Sequence, residues 1–537
     1  MQYPVGNEAF MTPRVVTPQQ YNIYAGRTDG VNDDSDAIIW AINQALALGN
    51  GGVYLGSGVY RITKPLGGIL TKALAMWGDG HANCWIVVDP AMSGNVLAFS
   101  NTWYGTDVVT LADGSTATGH PVAAVTWPGN SSRKSGVHLS GFSIVGDRRT
   151  SQTQNGIIFY DRNDTVMVRN VKVMCIKGHG VVLSGIPSSP GTNVATVLRE
   201  SEIDGLEVRW CGDTATARPA LVLNSTDKGV GSFDDACNYN KLRDIKVIFC
   251  EGTGFQTNCY NVNGNNSSHN EIQVVVDSPV MPATAFARAS SGTASITNGV
   301  LTVTAGGTAE GAFAQGQYVT NPAVPPGTYI AAVTSASGGG GVFQLAHKNI
   351  DLSTYSKTSG ELFDLRTQTP LIQIGGGHFG DEWDITINAR NVISSGCCGI
   401  EFNQNPLDAS GAKTGTCKLS LSHGPITLAM QFTVISSLRV DWKLRGVLVT
   451  DPVTPQASIT ALVINQSVTV DTFGEYSSGR LSVGGDVTAM TRLHVYPGGE
   501  RIVQTLPPAN KYPNAVLVQR SDHHQYVSDG SSWTQVT

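Results

Sequence analysis

The sequence predicts an all-β solenoid in which short parallel strands stack rung upon rung behind a single capping helix. Three observations carry that prediction. A polar turn residue followed by an apolar-polar-apolar triplet recurs along the middle of the chain, a second strand pattern answers each triplet at a short offset, and long helical patterns are scarce. Glycine supplies 61 of 537 residues and charged residues only 14%, a balance that suits stacked strands joined by frequent turns.

The elements follow in chain order. Gly30-Val31-Asn32-Asp33-Asp34-Ser35-Asp36-Ala37 opens a helix with an acidic capping cluster, Ala41-Ile42-Asn43-Gln44-Ala45-Leu46 continues its apolar stripe, and Asn50-Gly51-Gly52 ends it. Two strands follow at turn spacing, around Val53-Tyr54-Leu55 and Val59-Tyr60-Arg61-Ile62. The first-strand triplets then begin at Phe142, Val171, Leu206, Ile245, Ile272 and Ile385, spaced 29, 35, 39, 27 and finally 113 residues. The answering strands read Gly156-Ile157-Ile158-Phe159, Gly180-Val181-Val182-Leu183, Ala220-Leu221-Val222-Leu223, Gly254-Phe255 and Gly399-Ile400-Glu401-Phe402. Two strand classes repeating in this way imply a solenoid in which no rung is stable without its neighbours. The six first-strand positions are expected to stack inside, with Glu207 and Lys246 outside as a surface ion pair.

The long final gap marks an insertion between Asp277 and about Phe363. Val300-Leu301-Thr302-Val303 and Tyr329-Ile330-Ala331-Ala332-Val333 keep strand alternation around a Pro325-Pro326-Gly327-Thr328 turn, so the insertion is expected to be a small β module. From about Asp451 the spacing changes again. Asp529-Gly530 predicts a hairpin between Gln525-Tyr526-Val527 and Trp533-Thr534-Gln535-Val536, in a separate C-terminal β domain. The expected organisation is a short segment 1–20, a first solenoid part 21–280, a module 281–360, a second solenoid part 361–450 and a C-terminal domain 451–537.

A net charge of −6 without a Lys/Arg stripe argues against nucleic acid as a partner. The N-terminal residues lack a basic region followed by an apolar core, and no stretch reaches the ~18 apolar residues of a membrane span, so neither Sec export nor membrane insertion is expected. Nine cysteines lie without metal-ligand spacing; they read as small buried residues, and no metal or cofactor is assigned.

The order Asp29-Gly30, Asp33-Asp34, Ala37, Ala41, Gly51-Gly52-Val53 and Gly58-Val59-Tyr60 resembles the N-terminal signature of the pectate-lyase-like right-handed parallel β-helix family. That family includes many phage tailspikes that degrade bacterial surface polysaccharide. The resemblance implies a homotrimeric virion protein with a right-handed β-helix, attached through residues 1–20 or another protein to a phage tail or baseplate. It implies a capsular or O-antigen polysaccharide of the host cell surface as partner, and trimerisation or sugar binding by the C-terminal domain. Glycosidic hydrolysis is the first expectation; a polysaccharide lyase, or a non-catalytic receptor-binding or structural spike, are the alternatives.

Stacking the first strands in register would bring Asn170, Gly205, Asp244, Glu271 and Asp384 into one column, with strands ~4.8 Å apart. Asp244, Glu271 and Asp384 are therefore candidate catalytic carboxylates, since adjacent rungs approach the ~5 Å spacing of a retaining glycosidase and wider ones the ~6.5 to 9.5 Å of an inverting one. Asp381 and Asp384 with Glu271 also resemble the Asp-x-x-Asp plus Glu grouping of hydrolytic tailspikes. Trp383 is expected to offer a stacking surface to a sugar and His378 a hydrogen bond. Asp277, Asp234 and Asp235 are further substrate-binding candidates. A lyase would draw its base from Arg243, His269 or His378. Asn, Asp and Gly at coil corners also serve as plain turn residues whose side chains cap backbone groups.

Overall fold

A computed structural model of the chain describes residues 14–26, 30–48, 51–69, 74–100, 108–110, 116–118, 136–160, 162–186, 197–227, 237–261, 267–280, 286–321, 323–325, 327–347, 351–362, 365–376, 378–388, 397–403, 413–426, 428–433, 438–449, 460–465, 470–476, 483–485, 492–497, 502–503, 506, 509, 516–519, 524–529 and 531–535. The chain folds as a right-handed parallel β-helix. The helix Ser35–Ala47 closes its N-terminal end. Asp33 Oδ1 accepts the Ser35 N–H at 3.0 Å, while Asp34 at the N-cap makes no side-chain cap bond and accepts from the Gly26 N–H instead, so the acidic cluster satisfies one helix-end donor from the position before the cap. Ile38, Ala41, Ile42 and Ala45 turn into the coil and seal its core. The following strand passes so close that a Cβ on Gly51 would stand 2.5 Å from the Ala45 Cα.

Three strand columns build the coil. The first includes Leu74–Gly78, Val137–Ser140, Met167–Arg169, Glu202–Asp204, the front half of Lys241–Ile248, Glu271–Asp277, His378–Asn388 and Lys413–Ile426. The second includes Cys84–Val88, Ser143–Val145, Lys172–Met174, Glu207–Arg209 and the back half of Lys241–Ile248. The third carries Ile157, Val181, Leu221, Phe255, Ile372 and Ile400 opposite one another in turn. Each corner is turned by residues in the left-handed region. Gly141, Asn170, Gly205 and Asp244 stand between the first and second columns; Cys175, Trp210, Phe249 and Ser278 follow the second; Thr165, Glu200, Tyr239 and His269 precede the first.

All six expected inward residues are buried, but the register differs from the expected one. Phe142, Val171, Leu206 and Ile245 do share a column, set by Ser143 opposite Lys172, Lys172 opposite Glu207 and Glu207 opposite Lys246. Ile272 instead lies opposite Leu242 and Trp383, while Val274 joins Ile245 to Ile385. Two residues, Arg243 and Asp244, separate Leu242 from Ile245, where Gln273 alone separates Ile272 from Val274. The Asp244 corner therefore consumes one extra residue. Displacement along Glu271–Asp277 by two residues preserves the inward face, because side chains alternate with period two. Outside the coil, Glu207 meets Lys172 at 3.1 Å and Arg209 at 2.9 Å, and Lys246 pairs with Asp244 at 2.9 Å rather than with Glu207.

The insertion is antiparallel and has its own core, including Ile296, Leu301, Val303, Ile330, Phe343 and Leu345. It is tied to the coil where Phe286–Ala289 and Tyr318–Thr320 pair with the start of Arg366–Gly376. The first column runs on past residue 451, through Val470–Tyr476 to Arg492–Pro497. A separate four-stranded sheet lies between Ile502 and Gln535 and contains the hairpin of Gln525–Ser528 with Trp533–Gln535. Burial pushes the thiols of Cys84, Cys211 and Cys250 up to about 12, so these act as small core residues. Among the described residues no helix is long and apolar enough to cross a membrane.

Gly205 turns its corner at φ +67°, and a Cβ there would stand 2.8 Å from Asn170 Oδ1. Gly205→Ala should cost about 1–2 kcal/mol in denaturant unfolding, and Gly205→Asn, which tolerates this conformation, should cost less.

Candidate functional site

Parity along His378–Asn388 decides which side chains meet solvent. Trp383, Ile385 and Ile387 point into the coil, and Glu382 and Asp384 point out of it. The neighbouring strands are in register, so Glu271 lies opposite Glu382, Gln273 opposite Asp384, and Asp384 opposite Lys418. Glu271 and Glu382 thus occupy adjacent strands ~4.8 Å apart, and Glu382 and Asp384 stand about 7 Å apart along one strand. These three carboxylates line a shallow open depression of ≈ 330 Å³ with Arg243 and Lys418 at its sides.

The three acids differ in their surroundings. Arg243 Nη2 donates to Glu271 Oε2 at 2.7 Å. That bond, with Lys241 nearby, holds the Glu271 carboxyl below the usual carboxylate value. Glu382 and Asp384 are exposed and have no ion-pair partner among the described residues. One acid is therefore held ionised while two others stand beside it with access to solvent, an arrangement suited to proton transfer at a bound ligand.

Several expected site residues lie elsewhere. Asp381, His378 and Trp383 are buried, with at most 1% of each exposed, so they cannot serve as a catalytic acid, a sugar hydrogen bond and a stacking surface. Asp381 instead ends an internal polar ladder. The Ser201 N–H donates to Asn240 Oδ1 at 3.1 Å, the Asn240 N–H and Nδ2 donate to Asn270 Oδ1 at 3.0 and 2.9 Å, and the Asn270 N–H and Nδ2 donate to Asp381 Oδ1 at 2.8 and 3.0 Å. The other Asp381 oxygen lies 2.7 Å from His378 Nδ1, and His378 Nε2 lies 3.0 Å from the Gly375 carbonyl. Both ring nitrogens thus lie within hydrogen-bond distance of an oxygen acceptor, which fixes the ring inside the coil. Trp383 packs edge-on against that ring at 5.2 Å.

Asp244 is exposed at its corner and bonded to Lys246, two rungs from Asp384 with Gln273 between. Asp277 lies six residues from Glu271 on the same strand, about 20 Å away, where it accepts a bond from Ser278 Oγ at 2.9 Å. Asp234 and Asp235 lie outside the described residues. Of the expected catalytic residues, then, the fold brings together Glu271 and Asp384, and adds Glu382 between them. Glu382 was readable from parity alone: on a strand, residues 381 and 384 face opposite sides, whereas 382 and 384 share one.

Fold and face together define a parallel β-helix presenting an acidic cluster, flanked by two cations, on its outer sheet. No protein-family model matches the chain, and no curated protein matches it. Among solved structures it is similar to ORF18 of Geobacillus virus E2, with 12% identity over 97% of this chain and 86% of that one and a TM-score of 0.41. It is also similar to the Dettilon tailspike protein, with 12% identity over 90% and 68% and a TM-score of 0.30. A third is the catalytic unit of a GH87 alpha-1,3-glucanase from Streptomyces thermodiastaticus, with 13% identity over 89% and 70% and a TM-score of 0.32. All three are distant relations of shape.

Removing a buried acceptor that satisfies several donors is far costlier than altering an exposed acid. Asp381→Ala should therefore lose about 3 kcal/mol of stability, read as a fall in the denaturant midpoint. Glu382→Gln should change the unfolding free energy by less than about 0.5 kcal/mol.

Proposed function

We propose that this chain is a phage tailspike that binds a bacterial capsular or O-antigen polysaccharide and depolymerises it by glycosidic hydrolysis. The observation that carries the reading is the outward cluster of Glu271, Glu382 and Asp384, in register on neighbouring rungs of an open face. Glu271, kept ionised by Arg243, serves as nucleophile or base. Glu382, which has no ion-pair partner among the described residues, donates a proton to the leaving oxygen. Asp384 supports the positive charge that develops on the sugar. The spacing of Glu271 and Glu382 matches the retaining geometry more nearly than the inverting one. The family resemblance of the N-terminal sixty residues supports a homotrimer attached to a phage tail and acting at the host surface.

The test is to incubate the protein with purified surface glycans from a panel of bacterial strains and measure new reducing ends, with absorbance for unsaturated products. Reducing ends without unsaturation are expected; unsaturated products would replace hydrolysis with a lyase, and tight binding without shortening would leave a non-catalytic spike. Glu382→Gln and Glu271→Gln should each lower turnover by ~10² or more while glycan binding persists. Light scattering should give three times the mass of a single chain.

Acidity supplies a further check. Glu271 titrates below its usual value of 4.5, so it stays ionised in weak acid and loses its charge only as pH falls through that lower value. The acid limb of kcat/KM should accordingly lie below pH 4.5, and Arg243→Gln should move it upward.

A further inference from the structure

A second feature of the same outer sheet lies away from the carboxylates. Trp210 and Phe249 both occupy left-handed corners, at φ +51° and +52°. Bulky residues rarely adopt this conformation, although this coil also places Glu200, Tyr239 and His269 in it. Their rings stack at 5.5 Å and 11° across successive rungs, and Trp210 remains 39% exposed. The Arg209 guanidinium lies 5.3 Å from the Trp210 ring centre, and its Nε meets Glu207 at 2.9 Å. Glu207 in turn lines a small depression of ≈ 100 Å³ with Lys172, Asp244 and Lys246. Asp244 is the chain neighbour of Arg243, which borders the carboxylate depression. The Arg243–Asp244 corner thus has one depression on each side, and Trp210 directly follows the strand Glu207–Arg209 that borders the second.

We infer that the Trp210–Phe249 stack and the charged depression beside it form a second glycan-binding subsite. One sugar ring would lay its C–H face on Trp210, while hydroxyls of the neighbouring rings of the same chain reach Lys172, Glu207, Asp244 and Lys246, about 10 Å or more away along the strand. Planar rings suit a C–H face, and paired charges present both donors and acceptors to hydroxyls. This subsite deepens the proposed function and rests on it, since the ligand is the same polysaccharide chain further from its cleavage point.

The experiment measures affinity for the capsular and O-antigen polysaccharides of the strain panel, by titration calorimetry and tryptophan fluorescence, in the Glu382→Gln background. Trp210→Asn and Phe249→Asn keep a side chain that tolerates the left-handed corner, so the fold should survive. Each is expected to weaken binding of the long chain at least tenfold, and Trp210→Asn should remove most of the fluorescence change. Glu200→Asn, the same exchange at another left-handed corner, should leave affinity unchanged. If both ring variants bind as the parent does while the parent protein shortens the glycan, the subsite is overturned and the proposed function stands. If the parent neither binds nor shortens any glycan of the panel, the proposed function is overturned and the subsite with it. If Trp210→Asn lowers the assembled mass in light scattering, the rings are a subunit contact and the subsite is overturned.

Discussion

The backbone ladder between successive rungs is the constraint on which the rest of the structure depends. Each rung bonds to the one before and the one after, and its apolar side chains have no core except the one those neighbours extend. Because side chains alternate, the same ladder that aligns Ile245, Val274 and Ile385 inside also aligns Glu271 with Glu382 outside. The acidic cluster is thus a by-product of register. A slip of one residue would turn Glu271 into the core and expose Ile272, whereas the two-residue displacement at the Asp244 corner changes only which polar side chains become neighbours.

Beneath that face the coil is not uniformly apolar. The ladder from Ser201 through Asn240 and Asn270 to Asp381 runs up the inside of the same strands. Each amide satisfies backbone or side-chain groups on a neighbouring rung, which binds rungs together by directional bonds in addition to packing. His378 closes the series and holds the start of the strand that carries Glu382 and Asp384. The ladder thereby fixes the spacing of the outward acids on those strands. His378, expected to bond a sugar, instead holds the strand that carries the outward acids.

The inserted module is anchored by a similar device on the third column. Glu401 is fully buried and accepts bonds from Thr320 Oγ1 at 3.0 Å and Gln368 Nε2 at 3.2 Å. Gln368 lies where strands from the module pair with the coil. A carboxylate enclosed in this way is costly unless its oxygens are satisfied, so it favours a single docking arrangement of module against coil over looser ones.

The strand repeat, the capping helix, the insertion and the terminal hairpin were legible in the sequence because each rests on short-range chemistry. Alternation marks Phe142 and Val171 as inward, an acidic cap precedes Ser35, and Asp529-Gly530 follows a strand. Face was legible too: every first-strand position expected inside is inside. Neighbour relations across rungs were not, because they depend on how many residues each corner consumes, and Asp244 consumes one more than local pattern reveals. Only the tertiary structure therefore set Glu271 beside Glu382, buried Asp381 with His378, and stacked Trp210 on Phe249. The physical reason is that parity along a strand is a local property, whereas register between strands is fixed by closure of the whole coil.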